Sequence, residues 1–214
     1  MFLLYAVLAG LVAGLALGGR LRSLGAMRLR WAWLIVAGMA IQGLLYSEPI
    51  GERVAQLGPA VGPGLYIGSI VLVLAAVVRN IRIPGLALVA VGAAANLAAI
   101  VANGGYMPVS PEALGSHVPS GGYSNSVTAP DPALRFLTDI FALPDWLPAG
   151  NVFSVGDVFI GLGIATAIVV QMRRGAGMDR PVLIIDSWPR HGLPPTRPVG
   201  VRCGPATPPS GRPD

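Results

Sequence analysis

Lysine is missing from this sequence: all 15 basic residues are arginine. A glycine-rich phosphate loop that relies on a lysine is therefore excluded. Cysteine occurs once, at Cys203, which rules out an intrachain disulfide and a cysteine-built metal cluster. Charge of either sign is scarce, at 12% of residues, about half the share in a typical soluble domain. Nucleic acid is a poor partner despite the formal charge of +5, because the arginines stand at the ends of apolar runs.

Apolar residues fill the space that charge leaves, at 53% of the chain. About 20 mainly apolar residues carry a helix across a bilayer. Five stretches fit: Phe2–Gly19, Trp31–Tyr46, Gly64–Val78, Pro84–Asn103 and Val155–Met172. The first has no basic segment ahead of its apolar run, so it reads as a retained span and not as a cleaved signal peptide. The expected fold is all-α: a polytopic membrane bundle of about five transmembrane helices over residues 1–174. An outer loop spans Gly104–Gly150. The Pro- and Arg-rich stretch 175–214 reads as a disordered cytoplasmic tail, with Val182–Ile185 as a short apolar segment able to touch a partner.

The arginines also set the orientation. The first and third loops and the tail hold 13 of them, whereas the second and fourth loops hold only Arg53 and Arg135. Positive residues stay on the cytoplasmic side, so the expected topology is N-terminus outside and C-terminus inside, in a bacterial inner membrane. His117 and His191 then lie on opposite sides and share no metal. No metal site is expected, and no cofactor is indicated.

Small residues recur where helices need to approach closely. Gly10, Gly14 and Gly18 form a repeat in the first span, Gly64 and Gly68 lie in the third, and alanines surround Gly92 in the fourth. Within the outer loop, Asp131–Leu143 reads as a short amphipathic helix, with Asp131 as cap and Pro132 at the first helical position.

Polar residues inside apolar spans are the best pointers to function. They are Gln42, Asn96, Asn103 and Asp157. At about 1.5 Å per residue, all four fall in the outer half of the bilayer, which suggests a polar pocket that opens outward beneath the loop. For Gln42 and Asn96, hydrogen bonding between helices is the plainest account. Ser154-Val155-Gly156-Asp157 fits a capping box, the carboxylate reaching back to the Ser154 N–H. As a cap alone, Asp157→Asn should cost about 0.5–1 kcal/mol.

Two stretches carry a family resemblance: Asn103-Gly104-Gly105-Tyr106-Met107-Pro108-Val109 after the fourth span, and Asn151-Val152-Phe153-Ser154-Val155-Gly156-Asp157 opening the fifth. The chain resembles a family of uncharacterised bacterial multi-pass membrane proteins, a resemblance that implies no known activity. With Asn151 and Tyr106 from these motifs, the ligand-binding candidates are Asp157, Asn151, Asn96, Asn103, Gln42 and Tyr106. A second, partial resemblance covers Asn151 to Gly161, which looks like the last-span motif of lipoprotein signal peptidase, and the fourth span around Asn96, which is similar to the region bearing that family's first catalytic aspartate. That family consists of membrane aspartic proteases, and the likeness implies that Asp157 matches its second catalytic aspartate. Ala99 stands where the first would be.

Aspartic proteolysis needs two carboxylates sharing a proton, so an aspartic hydrolase here requires Asp139 or Asp145 to fold in from the loop. Three readings follow. The first is a non-catalytic module that binds a lipid-like or quinone-like molecule, or a membrane-protein partner. The second is a hydrolase built on Asp157 with a loop aspartate. The third is a small transporter subunit, although the inverted repeat and full-depth polar residues of transporters are not seen.

Overall fold

The computed structural model describes residues 2–114, 125–129, 131–144, 147 and 152–178, with side chains for all of these except 112, 114 and 175–178. Five helices make the body: α1 (Phe2–Ala16), α2 (Ala32–Leu45), α4 (Val61–Arg79), α5 (Leu86–Ala102) and α7 (Val155–Met178). A short helix α3 (Glu48–Gln56) follows α2 at an angle of 83°. The stretch 175–214, expected to be a disordered tail, begins as helix, because α7 continues through residues 175–178. The rest of that stretch, and Asn151 and Asp145, lie outside the described residues.

Two helices, α4 and Val155–Arg174 of α7, are long and apolar enough to cross a membrane, and the bent pair α2–α3 would make a third. Helices α1 and α5 are equally apolar but shorter, at 15 and 17 residues, or roughly 22 and 25 Å. The main packing runs α1–α7–α5–α4–α2. This string curls around a shared interior, because residues of all five helices line one cavity.

Glycine explains the closest approaches. A Cβ on Gly10 would lie 2.9 Å from the Ala165 backbone, and one on Gly14 would collide with Met172. One on Gly92 would run into the Gly156 carbonyl. The first-span repeat thus packs α1 onto α7, and Gly92 lets α5 do the same. Gly18 departs from the expectation: it has φ +76° and ends the helix in open space. Gly64 and Gly68 also face nothing within 4 Å, so they pack no helix among the described residues.

The buried apolar residues form two groups. Leu45, Tyr66, Ala99, Ile100 and Met107 cluster at the loop end, and Val77, Val89 and Ala90 at the other. Among its described residues the loop holds short strands and single helical turns. Strand β1 (Met107–Val109) leads into a single turn, α6 (Pro111–Leu114), and pairs in parallel with β2 (Ser126–Thr128). Strand β3 (Phe141–Ala142) pairs antiparallel with β4 (Val152–Phe153), which runs straight into α7.

The helix expected over Asp131–Leu143 does not form. Leu134 takes a left-handed conformation at φ 52°, only Arg135–Leu137 makes a 3-10 turn, and the chain is extended from Thr138. Competition for backbone groups is the reason. The Asp139 N–H donates to Pro108 O at 3.0 Å, and its carbonyl accepts from Ser110 N at 3.0 Å. Pairing with β1 takes the groups that a helix would have used, and Leu137 packs against the loop-end core.

Candidate functional site

Two strand pairings bring the site together. Asp139 bridges to Val109 of β1. Two residues later Phe141 pairs with Phe153 of β4, and α7 starts after Ser154. The same segment is therefore pinned to the end of α5 through β1 and to the start of α7 through β4. Stacked rings secure the second pin, with Phe153 4.6 Å from Phe2 and 5.4 Å from Phe141 between centroids. The Asp139 side chain is left on the wall of the cavity that Asp157, in the first turn of α7, also lines.

This cavity measures about 470 Å³, with Gln42, Tyr66, Asn96, Asn125, Asp139 and Asp157 on its polar wall. Its apolar wall continues down the helices through Met39, Ile70, Val73 and Val89 to Val77 and Leu86. From Tyr66 to Val77 along α4 is about 16 Å of helix rise, half the thickness of a bilayer core. The polar residues all sit at the loop end, and among the described residues no arginine lines the space.

Asp157 is held on both oxygens. Asn96 Nδ2 donates to Oδ1 at 2.9 Å, and the Ser154 backbone N–H donates to Oδ2 at 3.1 Å. The Ser154 hydroxyl accepts from the Asp157 N–H at 3.1 Å. It lies 2.8 Å from Asn96 Oδ1 and 3.2 Å from Asp157 Oδ2, its two acceptors. The capping box read from Ser154 to Asp157 is present, with Asn96 of α5 added to it. A Cβ on Gly156 would strike Asn96 Oδ1, so the glycine before Asp157 is what admits the amide.

Asp139 is the opposite case. It is 8% exposed, and its Oδ1 has no hydrogen-bond partner among the described residues. Burial first, and the Asp157 carboxylate second, push its carboxyl up from 3.8 to about 7. A buried carboxyl oxygen without a partner costs stability, so it invites a donor from a ligand or from water.

The remaining candidates divide. Gln42 donates to Ser69 Oγ at 3.0 Å, joining α2 to α4 at the cavity wall. Asn103 instead fastens the loop: its Nδ2 donates to Ala99 O and Ala133 O, and its Oδ1 accepts from Ala133 N. It does not line the cavity, and neither does Tyr106. Ala99, at the position of the missing catalytic aspartate, is fully buried in the core. Two lining groups escaped the sequence reading. Tyr66 sits in an apolar run that hides its hydroxyl, and Asn125, which donates to that hydroxyl at 2.8 Å, sits in a loop with no periodic signal.

A model of a family of unknown function, DUF5317, matches residues 26–169, a span that includes both sequence motifs. No curated protein and no solved structure matches the chain.

Proposed function

Because the chain belongs to DUF5317, a family whose function is not known, we propose its role from its own geometry: a non-catalytic, multi-pass inner-membrane module whose outward-facing pocket binds a lipid-like amphipathic molecule. Five passes with the N-terminus outside and the C-terminus in the cytoplasm are part of this reading. The arginine asymmetry supports the orientation. The joint lining of one cavity by α1, α2, α4, α5 and α7 supports treating the two shorter apolar helices as spans. Such helices are accommodated by local thinning of the bilayer.

The observation that carries the ligand reading is the Asp139 Oδ1, without a partner among the described residues, at the head of a long apolar cavity. An amphiphile satisfies both ends at once: its head donates to Asp139 and its tail fills the space between α2, α4, α5 and α7. With two carboxyls and no arginine on the wall, the head is neutral or cationic, since an anion would be repelled. A thermal-shift titration in mild detergent tests this with monolauroylglycerol and dodecylamine. Both should raise the melting temperature of the wild type. The shift should be lost in Asp139→Ala, which removes the acceptor, and in Ala93→Phe, which fills the cavity. Equal shifts in all three proteins would place binding elsewhere.

One observation favours the hydrolase as a second reading: Asp139 and Asp157 line the same cavity, and one raises the pKa of the other. Against it, both Asp157 oxygens are already taken by Asn96 and Ser154, which leaves Asp157 poorly placed to activate a water. Incubation with a lipidated precursor peptide separates the two. Cleavage that vanishes in Asp157→Asn would make the protein an aspartic hydrolase.

A further inference from the structure

At the end of the bundle away from the long loop, a groove of about 940 Å³ opens between the segment preceding α2 and the end of α4. Arg28 and Arg30 stand on one wall, Arg79 and Arg82 on the other. All four are exposed. Among the described residues no acid shares the groove: Glu48, Glu52, Asp131, Asp139 and Asp157 all belong to α3, the long loop or the start of α7.

The two walls are built, not merely adjacent. Asn80 is 6% exposed and joins them. Its Nδ2 donates to Arg30 O at 2.7 Å and to Ala76 O at 2.7 Å, and its Oδ1 accepts from Arg30 N at 2.9 Å. Trp31 follows in a left-handed conformation, φ 59°, which a large side chain adopts only when its surroundings hold it there. Its exposed ring lies 5.8 Å from the Arg79 guanidinium carbon, within cation–π reach. Below the arginines the groove continues along α4 as Val71, Leu74 and Val78, about 10 Å of apolar helix face.

We propose that this groove binds an anionic phospholipid, its phosphate held by the four arginines and one acyl chain laid along Val71, Leu74 and Val78. Charge complementarity selects an anionic head. The continuous apolar wall and the interfacial tryptophan select a lipid over a soluble phosphate. The site is separate from the loop-end cavity, which has no arginine on its wall, and it stands whether or not that cavity binds an amphiphile.

The test is a titration of the purified full-length protein in non-ionic detergent, read as apparent affinity. The three separate arms are dioleoyl phosphatidylglycerol, dioleoyl phosphatidylcholine and inorganic phosphate. Phosphatidylglycerol should bind, and phosphatidylcholine and phosphate should not at matched concentration. Arg79→Gln with Arg82→Gln should weaken binding about 25-fold, at roughly fivefold for each arginine near the surface. Arg28→Gln with Arg30→Gln should do the same from the other wall, and decides the matter if the first pair does not fold. Arg53→Gln, at the opposite end, should change nothing. Equal binding of phosphatidylcholine, full reproduction by phosphate alone, or wild-type affinity in a folded arginine pair would each overturn the proposal.

Discussion

Asp139 and Asp157 face one cavity but meet opposite conditions, and each gives a measurable consequence. In the unfolded chain Asp139 ionises near 3.8, whereas in the folded protein it keeps its proton up to about 7. Folding therefore takes up a proton between those values, so stability falls as pH rises from about 4 to 7 and is level above. Asp139→Asn removes this dependence. Its melting temperature should match the wild type near pH 4 and exceed it at pH 8, by at most about 4 kcal/mol in stability terms. Parallel curves for the two proteins across that range would show that Asp139 does not titrate as its burial dictates. At Asp157 both oxygens face donors, Asn96 Nδ2 and the Ser154 N–H. An amide there sets a donor against a donor, so Asp157→Asn should cost about 1–3 kcal/mol, more than the loss of a simple cap. Exchanging the pair, Asn96→Asp with Asp157→Asn, restores a matched donor and acceptor and should recover most of that loss. A double variant no more stable than the single one would mean that the two side chains are not coupled.

Among the elements, the helices were legible and the loop was not. Long apolar runs bounded by arginine mark α4 and α7, and a Ser-to-Asp capping box marks the start of α7, because these signals are local. The segment from Asp131 to Leu143 misled for a physical reason. Its helical spacing is real, but β1 and β4 claim its backbone groups, and neither partner is visible from within the segment. That pairing carries Asp139 to the site, so part of the polar wall rests on contacts between residues far apart in sequence. The glycines show the same limit. Spacing identified Gly10 and Gly14 as a close interface, yet it marked Gly64 and Gly68 alike, which face open space. Gly92→Ala should therefore destabilise by about 1–3 kcal/mol through overpacking against α7, while Gly64→Ala should be neutral or stabilise by up to about 1 kcal/mol through helix propensity. Similar melting temperatures for the two variants would contradict the α5–α7 contact.

For the whole molecule, the two ends differ in chemistry: an acidic cavity beneath the loop and an arginine groove at the other end. The proposed orientation puts the first outside and the second in the cytoplasm. Cys203, the single thiol, tests it. A membrane-impermeant maleimide should label Cys203 only after cells are permeabilised, and labelling of intact cells would reverse the assignment. The central claim is that the loop-end cavity holds an amphiphile, and native mass spectrometry of the intact protein released from its own membrane in mild detergent tests it most directly. The wild type should carry one neutral or cationic small molecule that is absent from Ala93→Phe, whereas any anionic lipid in the arginine groove should remain on both. A wild type without that adduct, or the same adduct retained by Ala93→Phe, would contradict the account.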